Sequence, residues 1–464
     1  MSSAQRVSPV GIHRVGSVAG YSESLAHACA GFGVLPVIQG SVPPRSIPPT
    51  RETLNTIHPG IVMLIAGPSG AGKSSSMRGI AHAIRPDRIR VVPGSLSPAE
   101  HRRACFDLLS GDMQTRTHTL SLAGLAEPML WARPAGVLSE GERARLRLAM
   151  GMHGALPGDV VLADELASTI DRASAHALCS TVRRWAHRRR ISFIGASAHE
   201  DLEGMLAPDV VLDARTQKTR KPSAIVPQPI RIEQGTTADY NALAHLHYRS
   251  GTPATTVRIL RAVRSVPFHV DPDGEIPAGV LVVSMPTLNG AWRKRAWPDV
   301  FGSVDKRRNA HALNEHVRTI SRVIVDPRSR GLGVATRLVR AYLDDPITAG
   351  TEASAAMGDV CPFFERAGMT PYPLGHDLID TRLLDALSHL GLTPARLTQI
   401  HVRSGSLLMR ELITWGKQRK LLPSGSAPRE EVQRLTPSAA CRLCSRPRAY
   451  AYTKGDRGDE AENT

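Results

Sequence analysis

Aromatic residues are scarce in this chain: Phe, Trp and Tyr make up 4% of its 464 residues. Its cores must therefore be built from Leu, Val, Ile and Ala. Lysine is scarce too, with eight among the 58 basic residues, so nearly all positive charge is arginine. No apolar run approaches the roughly 18–20 residues that a membrane helix needs. "IVMLIAG" and "GVLVV" are strand-length, which sets the expectation of no membrane segment. The opening "MSSAQRVSPVGIHRV" lacks the apolar stretch of a secretory leader. Cysteines are few and scattered at 29, 105, 179, 361, 441 and 444. No disulfide framework follows from that spacing, and a reducing cytoplasm is the expected compartment. Internal repeats are missing as well.

What is present is charge of one sign. The formal net charge is +16. Arginine offers a planar fork that suits phosphate, so nucleic acid is a candidate partner. The plain alternative is a solvated basic surface with no polyanion to meet.

At this length two or three domains are expected. Residues 1–50 read as an N-terminal extension, ending in the Pro-rich "GSVPPRSIPPT". Residues 51–215 alternate short apolar runs with amphipathic helices, the pattern of an α/β domain. The polar, basic stretch at 216–228 reads as a linker. A second domain is expected over 229–375. Residues 376–464 read as helical, then polar and partly disordered.

In the first domain "VMLIAGPSGAGKSS" is strand, glycine loop, helix, with the spacing G-x-x-x-x-G-K-S. Such a loop wraps phosphates with its N–H groups, while Lys73 reaches the β and γ phosphates and Ser74 ligates Mg²⁺. About ninety residues on, the apolar strand "DVVLADEL" ends in Asp164 and Glu165. Asp164 suits a grip on Mg²⁺ and Glu165 suits polarising an attacking water. "LSEGERARLRLAM" precedes that strand, and "STID" and "IGASAHED" follow it.

The ordered set resembles the nucleotide-binding domain of ABC-type ATPases. The resemblance implies ATP contacts from Gly67, Gly70, Gly72, Lys73, Ser74 and Ser75, with Gln114 matched to the glutamine that senses Mg²⁺ and water. It implies that Ser139 and Gly141 grip the γ-phosphate held by an opposite protomer, so the protein is expected to be a homodimer. It implies that Asp164 helps hold Mg²⁺, that Glu165 is the catalytic carboxylate, that Asp171 lies in the dimer-contact loop, and that His199 is the switch histidine. Three departures stand out. The signature reads Ser-Glu-Gly-Glu, Leu166 replaces the usual proline, and no aromatic precedes the loop to stack on adenine, His58 being the nearest substitute. The segment between Gln114 and Ser139 is short; in transporters that region helps couple to the membrane partner.

A second glycine turn, "RSRGLGVATRLV", follows the apolar "RTISRVIVDP". It lacks the Lys-Ser pair that a triphosphate and Mg²⁺ would want, and its N–H groups and arginines suit a diphosphate. "AGVLVVSMP", "RTISRVIV" and "TEASAAMG" read as three strands, and "PFFERAGM" as a short helix with a glycine stop. This set resembles the GNAT family of acyl-coenzyme A-dependent transferases. The expected fold class is thus α/β throughout: an ABC-type P-loop ATPase domain followed by a GNAT-fold α+β acyltransferase domain. The resemblance implies that Arg328, Arg330, Gly331, Leu332, Gly333, Val334 and Phe364 contact an acyl-coenzyme A such as acetyl-CoA. Glu315, His316 and Glu352 are candidate bases and Tyr372 a candidate acid. The stretch "HLHYRSGTP", 245–253, is a candidate acceptor wall.

"CRLC" at 441–444 has the spacing of half a zinc site, with no second half to complete it. The leading reading is an ATP-hydrolysing ATPase coupled in one chain to an acyl-CoA-dependent N-acyltransferase acting on a large anionic substrate. The alternatives are an ATP-gated clamp on nucleic acid or ribosome whose second domain only senses acyl-CoA, and the ATP-binding subunit of a transporter.

Overall fold

The structure is a computed structural model. It describes residues 46–223, 229–247, 253, 255–265, 275–288, 290–301, 305–356, 358, 361–444 and 447–455, together with Glu23 and the backbone of 13–16 and 34–37. Most of the acceptor-wall stretch, 248–252, and most of the N-terminal extension lie outside the described residues.

The first unit is a six-stranded sheet. Its strands are β1 (Val62–Ala66), β2 (Ile89–Val91), β3 (Val160–Ala163), β4 (Ser192–Ser197), β5 (Val210–Asp213) and β6 (Thr219–Arg220), in the order β2-β3-β4-β1-β5-β6. All pairs are parallel except β5–β6. Strands covered on both faces must be apolar at every position, and β1 reads Val-Met-Leu-Ile-Ala for that reason. Met63 and Ile65 meet Met77 and Ile80 of helix α1 (Lys73–Ala83) on one face. Val62 and Leu64 join the cluster of Leu178 and Val182 on the other. Helices α2 (Met113–Leu122) and α3 (Glu140–Met152) close a smaller core of Leu120, Leu125, Leu130 and Leu146. Helix α4 (Arg172–Arg189) starts at an Asp171 cap, whose carboxylate accepts from Ser174 N–H at 2.9 Å. It ends in Arg188 and Arg189, cations that suit the negative end of the helix dipole.

The second unit is a seven-stranded sheet. Its strands are β7 (Ile230–Gln234), β8 (Arg258–Ser265), β9 (Glu275–Ser284), β10 (Val317–Val325), β11 (Gly350–Ala355), β12 (Thr370–Pro373) and β13 (Arg448–Thr453). The order is β12-β13-β11-β10-β9-β8-β7, and only β10–β11 is parallel. Helix α5 (Thr237–Ala244) covers one face through Tyr240 and Leu243. Beyond helix α6 (Lys306–His316) and β10, helix α7 (Val334–Asp344) covers the other face. Its buried residues, Val334, Leu338, Val339, Tyr342 and Leu343, fall on one helical stripe.

Strand β13 corrects the expected boundary at residue 375. The stretch "RAYAYT" is an inner strand of the sheet, with Ala449, Tyr450, Ala451 and Tyr452 buried. The residues between β12 and β13 are therefore an insertion rather than a tail. Helices α8 (Leu378–His389), α9 (Leu407–Gln418) and α10 (Arg429–Cys444) pack there around their own core of Leu383, Leu387, Leu412, Trp415 and Val432. Cys441 and Cys444 sit on the last turns of α10, both exposed. Among the described residues no group of three or more His, Cys, Asp or Glu gathers as a metal cage. None of the described helices is long and apolar enough to cross a membrane.

Candidate functional site

In parallel sheets, ligands meet the carboxyl ends of the strands, and the register here brings three such ends together. Ala66 of β1 lies level with Ser197 of β4, and Ala163 of β3 lies level with Gly195. The Gly67–Ser75 loop, the Asp164–Glu165 pair and His199 therefore leave the sheet side by side. Gly70 and Gly72 take left-handed φ of 78° and 96°, which turns the loop back on itself. Lys73 Nζ donates to the carbonyls of Gly67 and Pro68, both at 2.9 Å, and so stays above the loop. Asp164 and Glu165 are exposed, and Asp164 Oδ1 accepts from the Glu165 N–H at 3.0 Å. Glu165 and Ala167 both carry positive φ, 50° and 58°, in a turn that needs no glycine. Such strain gathers where function fixes the backbone. The donor set of one serine hydroxyl and one carboxylate fits Mg²⁺, which prefers few protein ligands plus substrate phosphates.

The departures from the ABC pattern have local causes. Glu142 turns back to accept from the Ser139 N–H at 2.7 Å, a capping box that starts α3. Glu140 pairs with Arg143. Both carboxylates are thus engaged by groups of their own helix start. Leu166 is buried and fills the space beside Gly195, where a Cβ would lie 2.8 Å from Leu166 Cδ2. Gly141 sits on the Ser168–Ile170 turn, where a Cβ would come 3.2 Å from the Thr169 carbonyl. Gln114 is exposed at the start of α2, and His199 is exposed with its N–H on Ser197 Oγ at 3.2 Å. His58 is displaced from its expected role. Its carbonyl accepts from Ser192 Oγ at the amino end of β4, so it lies at the wrong end of the sheet for adenine. Nothing in the sequence marks Ile47, whose side chain touches Gly72 and whose N–H donates to Ser75 O at 2.9 Å.

In the second unit β10 and β11 pair only from Val317↔Gly350 to Ile320↔Ala353. Beyond Ile320, β10 keeps β9 on one side, with a bulge at Ser321. Among the described residues no strand pairs with its other edge there, an unpaired slot along the strand, and it runs into the Arg328–Gly333 turn. Gly331 and Gly333 have φ of 82° and 78°. A Cβ on Gly333 would meet no atom within 4 Å, whereas one on Gly331 would collide with Thr181 Oγ1 of α4. The open donors are thus the N–H groups at the start of α7, which have no partner within the helix. The arginines are already engaged: Arg328 forks onto Asp326 at 2.9–3.0 Å, and Arg330 pairs with Glu127 at 2.7 Å. Leu332 is half-buried and Val334 buried in the core.

The other expected contributors do not converge on this slot. Phe364 is a core residue, its ring 5.0 Å from that of Tyr450. Glu352 is buried, and its two oxygens accept from Arg293 at 2.7 and 2.8 Å and from Thr319 Oγ1 at 2.7 Å. It is held as an ion pair and not as a free base. Arg293→Met is expected to strand that carboxylate and cost about 3 kcal/mol, read as an earlier urea transition. Tyr372 sits on β12, three strands and about 14 Å from β10, with its ring against Trp292. Glu315 and His316 are exposed just before the first residue of β10. That places them roughly 30 Å from the loop at the strand's far end.

The two units touch at this loop. Arg184 of α4 donates to the Gly331 carbonyl, and Glu127 between α2 and α3 holds Arg330. Arg264 of β8 is fully buried and reaches α4 as well, donating to Ala173 O at 3.1 Å and His176 Nδ1 at 3.0 Å. Burial first, then Arg264 and Arg184, push the His176 pKa down to about 4, so the ring is a neutral acceptor at pH 7.

No family model matches the chain. Several ATP-binding proteins are similar to part of it. A cytochrome c biogenesis ATP-binding export protein of Rhodospirillum rubrum is 29% identical over 168 residues, 31% of this chain and 70% of that protein. A hemin import ATP-binding protein of Pseudomonas putida is 30% identical over 173 residues, 30% of this chain and 68% of that protein. A solved dimeric bacterial ABC transporter cassette aligns at 16% identity with a TM-score of 0.31, over 37% of this chain and 89% of its own. The cytochrome c biogenesis ATP-binding export protein of Maricaulis maris is 31% identical over 174 residues, 33% of this chain and 79% of its own length. That identity over so much of a relative makes the chain a member of the ABC-type ATPase family, with ATP as its nucleotide.

Proposed function

We propose that the chain joins its ABC-type ATPase to an acyl-CoA-dependent N-acyltransferase of the GNAT kind. In this reading it works as a cytoplasmic homodimer on a large anionic substrate such as nucleic acid. The observation that carries the proposal is the second sheet. Its one parallel pair opens after Ile320 and Ala353, and the strand at that opening runs into a glycine turn at a helix start. The slot suits the arm of an acyl-coenzyme A, and the α7 N–H groups suit its diphosphate. A backbone N–H near the Ser321 bulge is the donor that would polarise the thioester carbonyl. The net charge of +16 supports an anionic acceptor.

In the ATPase unit the proposed roles follow the geometry at the strand ends. Lys73 and the loop N–H groups bind phosphates, Ser74 and Asp164 hold Mg²⁺, and Glu165 accepts the water's proton. Ser139 and Gly141 act on the partner protomer's nucleotide.

A second reading keeps acyl-CoA binding but drops the transfer, because Glu352 is locked by Arg293 and the other candidate bases lie far from the loop. The names of the relatives favour a third, a transporter subunit. The inter-unit contacts weigh against it, since Glu127, in the region that meets a membrane partner in transporters, here meets Arg330.

The deciding experiment incubates the full chain with ATP, labelled acetyl-CoA, and RNA, DNA or protein in turn. Label is expected in a nucleic-acid fraction. Binding of acetyl-CoA with no transfer to any acceptor favours the sensor; no binding at all removes the acyl-CoA reading.

A further inference from the structure

The Arg328–Gly333 loop is gripped at several points, and one grip is unusual in being a cation with no exposed surface. Arg264 is fully buried between the units. Its Nη1 donates to the Arg328 carbonyl, the first peptide of the loop, at 2.8 Å. Its Nη2 donates to Ala173 O and His176 Nδ1 in the first turns of α4. Ala173 also packs on Ile276 of β9. A buried guanidinium is costly to desolvate and is retained where several acceptors need one rigid fork. Here the acceptors belong to two different sites.

Helix α4 is the element to which an ATP signal would pass. It begins at Asp171, six residues after Glu165, across a turn that already holds two non-glycine residues at positive φ. An 18-residue helix moves as a rod of about 27 Å. Displacement of its first turn would therefore reach Arg264 at one end and the Thr181–Arg184 contact with Gly331 farther along.

We propose that Arg264 is a positioning residue that ties the setting of the Arg328–Gly333 loop to the nucleotide state of the ATPase. The identity of the loop's ligand rests on the acyl-CoA reading; the tie itself does not. Because coupling between sites is reciprocal, ATP should change the affinity for coenzyme A by the same factor by which coenzyme A changes the affinity for ATP, about fivefold or more.

The test is hydrogen exchange on the 464-residue chain carrying Glu165→Gln, with and without ATP. ATP is expected to alter exchange of the amides from Arg328 to Arg337. Adding Arg264→Met should remove that change while ATP protection of Gly67–Ser75 persists, and Arg264→Lys should restore part of it. A merely structural arginine would not separate the two readouts. An ATP effect on the loop that survives Arg264→Met, or no such effect in the starting protein, overturns the proposal. Should Arg264→Met fail to fold, His176→Leu removes one acceptor on the helix side and leaves the Arg264–Arg328 bond. It should shrink the loop's response, and an unchanged response overturns the link. Coenzyme A titrated into the same proteins separates the two ideas. If it binds to none of them, the acyl-CoA reading fails and the exchange data still decide the role of Arg264.

Discussion

Glu165→Gln should slow ATP hydrolysis by roughly 10³-fold and leave ATP binding intact. The carboxylate stands exposed at the end of β3, beside Asp164 and level with the strand end that carries His199. Glutamine keeps its length and shape but cannot take a proton from water, and a missing general base costs about 10²–10⁴-fold. The backbone argues that this loss will be chemical. Residue 165 already holds a φ of 50°, and glutamine tolerates that setting no worse than glutamate, so the Leu166 and Ile170 anchors stay in the core. Phosphate release measures the rate, and nucleotide titration measures the affinity. Sedimentation should show an ATP-bound dimer accumulating in the variant. If turnover is normal, the base is another residue, and His199 becomes the first to replace.

Much of the nucleotide site was legible because its chemistry is local. A strand, a glycine loop and the Lys73–Ser74 pair are contiguous, and the β3 carboxylates announce themselves at a strand end. The same locality made the Arg328–Gly333 turn visible. What escaped was set by pairing between distant segments. "RAYAYT" looks like a basic, aromatic tail until its partners at Gly350–Ala355 and Thr370–Pro373 are known. Glu352 looks like a free base until Arg293, fifty-nine residues away in sequence, closes on it. His58 shows the opposite error. It is near the phosphate loop in sequence, but a five-residue strand separates the two by the height of the sheet. Nothing local marks Arg264, whose partners lie on α4 and on the loop.

The other large effect is expected at Gly333. If the proposed acyl-CoA site is there, Gly333→Trp should weaken coenzyme A binding at least about 100-fold while ATP hydrolysis measured without coenzyme A stays within about twofold. On the acyl-CoA reading the start of α7 wants a small residue, because the ligand's diphosphate would approach bare N–H groups there. A Trp there covers them, and losing two charge-assisted bonds of about 1.5–3 kcal/mol each suffices for that loss. Gly331 is the worse choice for this experiment. Its missing Cβ faces Thr181, so a side chain there would push α4 away and disturb both units at once. Gly333 has no atom within 4 Å of a Cβ, and its φ of 78° adds only about 1–2 kcal/mol of local strain. Calorimetry of coenzyme A binding gives the first number and phosphate release the second. Full affinity in Gly333→Trp would take the glycine turn out of the ligand's path. A matching loss of basal ATPase would instead mean that the turn sets α4 even without ligand, running the Arg264 connection in the reverse direction.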